Sequence, residues 1–193
     1  MQRILIIGGN GSGKTTLARE LAQKLQLPLV HLDVLYWRDN WQSAPHSEFQ
    51  ALLRAELQKP RWIIDGNIAS TLPLRLTYCD TVIFLDFSRL RCLCGAVWRV
   101  IQNYGKSRPD MGGNCPERFD QSHLAFFKTV YFGNCFFFSR SQSRDISVFF
   151  VKTVEPSGIS RRPWRKSLFL YSFTGVFVSF FQIEVPETFF PCI

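Results

Sequence analysis

The sequence has few of the residues that build metal centres or disulfide frameworks. It contains three histidines, and its six cysteines include no pair spaced as C-x-x-C. That spacing argues against zinc-ribbon and dithiol redox motifs, so we expect reduced thiols in a cytoplasmic protein. No secretory signal peptide is expected either, because the first apolar run ends at a glycine-rich turn after residue 7.

Acidic residues are also scarce relative to basic ones. Fifteen Asp and Glu residues oppose 23 Lys and Arg residues, which leaves a net charge of +8. An excess of this size suits polyanions, nucleotides included, without selecting nucleic acid. No helix-turn-helix, zinc pattern or helix dense in Lys and Arg is recognisable, so DNA is a candidate partner that no motif supports.

The C-terminal part lacks a regular hydrophobic period. Fifteen of the 19 phenylalanines follow residue 124, in runs that fit neither a helix nor a strand. Residues 167–183 form an uncharged stretch of borderline length for a membrane span, but its Ser, Thr and Gln residues argue against a membrane partner. We therefore interpret 156–193 as an atypical Phe-rich tail, either disordered or read from a shifted frame.

The strongest motif is GGNGSGKT at residues 8–15, which satisfies G-x-x-x-x-G-K-[ST], the phosphate-binding P-loop. Residues 3–7 before it are apolar and predict a buried parallel strand. Residues 16–25 after it carry apolar side chains at helical spacing. The motif therefore stands between a strand and a helix, which is the context that it requires.

The chemistry of this loop is nucleotide binding. Glycines allow close approach of the backbone to phosphate oxygens, and the helix N-terminus favours an anion. Lys14 is expected to reach the β- and γ-phosphates of ATP, and the Thr15 hydroxyl to ligate Mg²⁺. The predicted nucleotide-binding residues are Gly8, Gly9, Asn10, Gly11, Ser12, Gly13, Lys14, Thr15 and Thr16.

Strands alternate with helices in the rest of the first 151 residues. Strands are predicted over 28–33, 62–67, 81–86 and 146–151, with helices over 47–59 and 89–103. This order predicts an α/β fold with a parallel sheet, and it puts Asp33, Asp65 and Asp86 at carboxyl ends of strands, where ligands bind.

Two predicted loops flank this edge of the sheet. The aromatic loop 34–41, with Tyr36, Trp37 and Trp41, either stacks on a base or packs against the sheet end. Residues 104–118 are rich in Gly, Pro and charge, and predict a mobile loop. That loop is either a lid, with Lys106 and Arg108 closing over phosphates, or an ordinary solvent loop.

Several pieces together resemble a known group of proteins. They are IIGGNGSGKTTLA, HLDVLYW, WIIDGNIASTLPLRL, DTVIFLDFSRLRCL and SRPDMGGNCPERFD, which span about residues 3–120. This region resembles the adenylate-kinase-related P-loop proteins of the DNA topology modulation protein family. The resemblance implies a P-loop NTPase of the nucleoside-monophosphate-kinase type, with a five-stranded parallel core and a lid at 104–118. We expect this domain to occupy residues 1–155; beyond Pro156 nothing resembles the family.

The resemblance also implies roles for individual residues. Asp33 and Asp65 would face the acceptor and the metal-bound waters, and Arg99 and Arg108 would lie on the lid helix and lid loop. The expected catalytic residues are thus Lys14, Asp33, Asp65, Arg99 and Arg108, with Thr15 and Asp65 at Mg²⁺.

The function that follows is transfer of the ATP γ-phosphate to a nucleotide or another small acceptor. One alternative is a nucleotide-dependent DNA-binding protein that modulates DNA topology without kinase turnover. Another is a defective gene product with an aggregating tail.

Overall fold

The computed structural model describes residues 1–118 together with the strands at 147–151, 167–174 and 177–184. The strands are β1 (Arg3–Gly8), β2 (Leu29–His31), β3 (Trp37–Arg38), β4 (Gln42–Ser43), β5 (Trp62–Asp65), β6 (Thr81–Leu85), β7 (Ser147–Val151), β8 (Ser167–Thr174) and β9 (Phe177–Glu184). The helices are α1 (Lys14–Leu25), α2 (Leu32–Tyr36), α3 (His46–Leu57), α4 (Leu72–Leu76) and α5 (Arg89–Asn103).

The central sheet has five strands in the order β2-β5-β1-β6-β7. Every pair within it is parallel. β1 lies in the middle, so the P-loop leaves the sheet at its centre. The prediction of an α/β fold with a five-stranded parallel sheet is confirmed, and the predicted fifth strand pairs with β6.

Alternation along β1 divides the core between the two faces of the sheet. Leu5 and Ile7 belong to a cluster that includes side chains of α3 and α4. Ile4 and Ile6 belong to a second cluster, which includes Ala18 of α1 and the α5 side of the sheet. All four β1 side chains are fully buried. The parallel sheet is therefore covered by helices on both faces, which explains why residues 4–7 of β1 are all apolar.

The second predicted strand is shorter in the structure. β2 ends at His31, and residues 32–36 form the short helix α2. Asp33 therefore lies in the first turn of a helix and not at a strand end, which corrects the prediction. A residue distant in the chain stabilises this helical turn: the Gly112 amide donates a hydrogen bond to the Asp33 carbonyl at 3.2 Å.

The aromatic segment is not an open loop. Its chain forms α2, then the antiparallel pair β3–β4 around a 3₁₀ turn at Asp39–Trp41. Residues 104–118 contain no helix or strand, as predicted, but they pack closely on this segment. Asp110, Met111, Cys115 and Glu117 are all buried.

Part of the predicted tail is described. β8 and β9 pair with each other as an antiparallel hairpin. The remainder of 156–193, and the stretch 119–146 within the expected kinase-like domain, lie outside the described residues. In the part of the chain that is described, no helix is both long and apolar enough to cross a membrane.

Candidate active site

The P-loop, residues 8–15, connects the end of β1 to the first turn of α1 and is shaped by contact with α5. Gly13 and Gly11 have φ angles of 87° and 74°, a region that disfavours side chains. A Cβ at Gly11 would lie 2.2 Å from the Cys92 carbonyl oxygen. A Cβ at Gly95 would lie 2.3 Å from the Gly11 carbonyl oxygen. The loop and α5 thus touch backbone to backbone.

Lys14 crosses back over the loop that precedes it. Its Nζ donates to the Gly9 carbonyl at 2.8 Å. Burial lowers the pKa of Lys14, and the carboxylates of Asp65 and Asp33 oppose that shift. The ammonium group is therefore held by a backbone carbonyl, a contact that phosphate oxygens of a nucleotide would replace.

Thr15, Asp65 and His31 form a hydrogen-bonded chain beside the loop. The Thr15 hydroxyl donates to Asp65 Oδ2 at 2.8 Å, and His31 Nδ1 contacts the same oxygen at 3.1 Å. Asp65 ends β5 and is buried, while His31 ends the neighbouring strand β2. Parallel pairing sets the two residues opposite each other, which brings them together.

The residues predicted to hold Mg²⁺ fit that ion. Asp65 Oδ1 is buried and, among the described residues, has no hydrogen-bond partner. The Ser12 hydroxyl of the P-loop is also buried and has no hydrogen-bond partner among the described residues. A buried carboxylate oxygen without a partner costs free energy unless a ligand or water fills the site. Mg²⁺ takes oxygen ligands and commonly keeps several waters, so Thr15 and Asp65 are a suitable donor set.

Asp33 lies in the first turn of α2. Burial raises the pKa of its carboxyl group, and Lys14 opposes the rise. The negative charge of Asp65 raises this pKa further, and the positive charge of Arg108 lowers it. The carboxyl group thus stands within electrostatic reach of the P-loop lysine and of the loop 104–118.

Arg99 and Arg108 meet at a shared carboxylate. Their Nε atoms lie 3.2 and 2.7 Å from Glu117 Oε1, and Glu117 is fully buried. The N–H groups are not aligned as hydrogen bonds, so these are ion pairs at short distance. Burial, and next to it the charge of Arg108, lowers the pKa of Arg99. Arg108 also donates to Asp110 Oδ2 at 2.5 Å.

Two further arginines near the site, Arg75 and Arg38, have partners within the protein. Arg75 is fully buried and donates to the Gly66 and Ile68 carbonyls at 3.0 and 2.7 Å. Arg38 pairs with Glu48 at 2.5 Å on the surface. Arg75 therefore supports the turn after β5.

The rings of the aromatic segment pack against each other. Trp37 meets Tyr36 and Trp41 edge to face, with centroid distances of 4.9 and 5.6 Å. Trp41 Nε1 donates to the Pro116 carbonyl at 3.0 Å. These rings therefore contact one another and the segment 104–118, and stacking on a base stays a prediction.

Some residues near the site were not predicted from the sequence. His31, Glu117 and Asp110 contact predicted site residues, and Gly95 shapes the P-loop. His31 had a usable signal, since it stands next to a predicted strand end. Asp110 stands only two residues after Arg108, in the quoted piece SRPDMGGNCPERFD, whereas Gly95 lies far from Gly11 in the chain. Of the remaining predicted residues, Asn10 and Thr16 lie within the P-loop and on the first turn of α1.

Comparisons with known proteins agree with this fold. Residues 4–86 match the sequence profile of the AAA proteins, the ATPase family associated with various cellular activities. The matched region runs from β1 through the P-loop to β6. The chain therefore contains a P-loop NTPase domain, with a parallel sheet flanked by helices. No curated protein matches the chain in sequence.

Some solved structures of kinases are similar to this chain, at low identity and with TM-scores below 0.5. A gluconokinase from Sinorhizobium meliloti 1021 is 14% identical, with 80% of this chain and 84% of that chain covered and a TM-score of 0.46. A shikimate kinase from Bacteroides thetaiotaomicron is 18% identical, with 77% and 86% covered and the same TM-score. Likeness of this degree says nothing about the acceptor. The resemblance to the DNA topology modulation family stays a prediction.

Proposed function

We propose that the protein is an adenylate-kinase-like phosphotransferase, which moves the γ-phosphoryl group of ATP to a nucleotide or another small acceptor. The observation that carries this proposal is that two carboxylates accompany the P-loop: Asp65 accepts a hydrogen bond from Thr15 at 2.8 Å, and the charges of both Asp65 and Asp33 act on Lys14. Binding a nucleotide needs the lysine and one carboxylate at the metal. The second carboxylate, on α2, offers a proton acceptor to a substrate hydroxyl.

Phosphoryl transfer requires the protein to position the reactants and to supply charge, and it requires no covalent step on the protein. The acceptor oxygen forms a bond to the γ-phosphorus while the bond from that phosphorus to the β–γ bridging oxygen breaks, and ADP leaves. Where the acceptor oxygen belongs to a hydroxyl group, its proton passes to Asp33; a phosphate oxygen attacks without one. Because burial raises the pKa of this carboxyl group, it holds the proton better than an exposed aspartate.

The P-loop side supplies the remaining groups. Lys14 would leave the Gly9 carbonyl and bind the β- and γ-phosphates. Thr15 and Asp65 would hold Mg²⁺, which supplies positive charge at the phosphate oxygens when bound. Arg99 and Arg108 remain the proposed lid arginines. The four described cysteines are free thiols, which fits the cytoplasmic location that we propose.

The test is ATP turnover by the full-length chain with Mg²⁺ and a panel of acceptors. The panel contains nucleoside monophosphates, nucleosides and small hydroxy compounds. Lys14→Ala is the loss-of-function variant, and Lys24→Ala is its matched control, since Lys24 lies in the last turn of the same helix and is exposed. We expect acceptor-stimulated turnover in the wild type and in Lys24→Ala, and none in Lys14→Ala.

Other outcomes would contradict the proposal in different ways. Tight ATP binding without stimulation by any acceptor would favour the alternative, a nucleotide-dependent DNA-binding protein. In that case DNA binding should depend steeply on salt, because phosphate contacts release counterions. Turnover that survives in Lys14→Ala would exclude the P-loop as the reaction site.

A further inference from the structure

The two lid arginines are engaged to different degrees. All three nitrogen positions of Arg108 have partners: Nε at Glu117, Nη1 at Asp110 and Nη2 at Met111 Sδ, 3.1 Å away. Arg99 is held only through Nε, at the same Glu117 oxygen. No described residue pairs with its two terminal nitrogens, and its side chain is 26% exposed against 13% for Arg108.

Arg99 also faces the P-loop. It lies on α5, one turn after Gly95, whose backbone touches the loop at Gly11. Its charge affects the pKa of Lys14, and the charge of Asp33 affects its own. The Arg99 guanidinium therefore lies within electrostatic range of the P-loop lysine and of Asp33. Arginine binds phosphate best through two parallel N–H groups, which is what this end of the side chain offers.

Glu117 holds the two like-charged guanidiniums side by side. Its carboxylate is fully buried, so it has little other compensation than these two ion pairs. The backbone of Glu117 already ties the segment 104–118 together, through bonds to Gly105 at 2.9 Å and Lys106 at 3.1 Å. The Glu117 side chain is therefore not needed to hold the two ends of the segment together. Its ion pairs with Arg99 and Arg108 must serve another purpose.

We propose that Glu117 is a positioning residue for Arg99, and that Arg99 rather than Arg108 binds the γ-phosphate. Glu117 takes the Nε of Arg99 and so aims both terminal nitrogens at the phosphate. Arg108 stays in the protein as the second cation that balances the buried carboxylate. The role of Arg99 in phosphoryl transfer rests on the proposed function. Its role in binding the γ-phosphate of a nucleotide does not, because it requires no transfer.

The experiment compares two ligands that differ by one phosphate. Dissociation constants of ADP and of a non-hydrolysable ATP analogue, each with Mg²⁺, are measured by calorimetry on the full chain. In Glu117→Gln the shape and one oxygen remain, but the charge that holds Arg99 is lost. We expect about tenfold weaker binding of the analogue, with ADP affinity changed less than about twofold. Arg99→Met should give the same pattern.

A double-mutant cycle separates positioning from a structural role. If Glu117 acts through Arg99, then Glu117→Gln adds no further loss in the Arg99→Met background. The matched control is Glu48→Gln, which removes an exposed carboxylate paired with Arg38 and should change neither affinity. Should Glu117→Gln fail to fold, Glu117→Asp keeps the charge and is expected to retain more discrimination between the ligands than Arg99→Met does.

The assignment is overturned if ADP and analogue weaken equally, or if the losses of the two variants multiply. If no acceptor supports turnover while the selective loss of analogue binding holds, the transferase function fails and the assignment of Glu117 and Arg99 stands.

Discussion

In Gly95→Ala the added methyl group has two opposing effects: it improves helix propensity and it worsens packing. Gly95 lies inside α5, where alanine ordinarily stabilises a helix by about 1 kcal/mol. Here the new Cβ would lie 2.3 Å from the Gly11 carbonyl oxygen and 3.2 Å from the Gly11 carbonyl carbon. Both atoms are backbone, so no rotamer change relieves the contact. To reach an ordinary contact distance, α5 and the P-loop must separate by roughly 1 Å.

Overpacking of this kind costs about 1–3 kcal/mol, and contact with rigid backbone favours the upper end. After the gain in propensity, we expect a net loss of about 1–2 kcal/mol in the free energy of unfolding. For a chain of this size that loss lowers the melting temperature by about 2–8 °C. Because the displaced atoms belong to the phosphate-binding loop, ATP affinity should also fall, by at least about tenfold.

Thermal unfolding followed by circular dichroism and ATP binding by calorimetry are the two assays. Cys94→Ala is the matched control, since Cys94 is the preceding residue of α5 and its side chain is exposed. A Gly95→Ala protein with an unchanged or higher melting temperature and wild-type ATP affinity would refute the reasoning.

Three further predictions concern buried groups. Burial raises the pKa of Asp33, so the folded state binds that proton more tightly than the unfolded state does, and stability falls as the pH rises through this pKa. Asp33→Asn should therefore raise the melting temperature at pH 7 more than at pH 3 while abolishing acceptor-dependent turnover; equal gains at both pH values would argue against it. Arg75→Met should lower the free energy of unfolding by about 2–3 kcal/mol in urea titrations, because one buried and one partly buried carbonyl lose their donor; an unchanged midpoint would contradict this. Burial raises the pKa of Cys79 to about 12, so at pH 8 only about 10⁻⁴ of this thiol is thiolate. Among the described cysteines, iodoacetamide should label Cys94 first and Cys79 only on unfolding, as read by peptide mass spectrometry.

Much of the fold could be predicted because its signals are local. The glycine pattern, the apolar run before it and the helical spacing after it lie within 25 consecutive residues. The predicted bounds of α5 agree with the structure, because Ser88 caps the helix by accepting a bond from the Arg91 amide at 3.4 Å. Strand β7 was predictable from its apolar, β-branched and aromatic content.

The segment that begins at Asp33 shows where local signals fail. The extended pattern HLD predicts a strand through residue 33, but the chain turns into α2 after His31. The turn depends on Gly112, which comes close to the carbonyls of Val34 and Trp37 because it has no side chain. A partner 79 positions away in the chain leaves no trace in the local spacing of apolar residues.

The sequence by itself determined the P-loop, its lysine and threonine, and the placement of Asp65 at the end of a central strand, since glycine geometry and strand periodicity act over a few residues. Only the tertiary structure decided which charges these groups meet. It paired His31 with Asp65, buried Arg75 in the turn after β5, and joined Arg99 and Arg108 through Glu117. Such contacts are set by the path of the chain through three dimensions, and the electrostatic energy of a buried pair depends on that path rather than on sequence spacing.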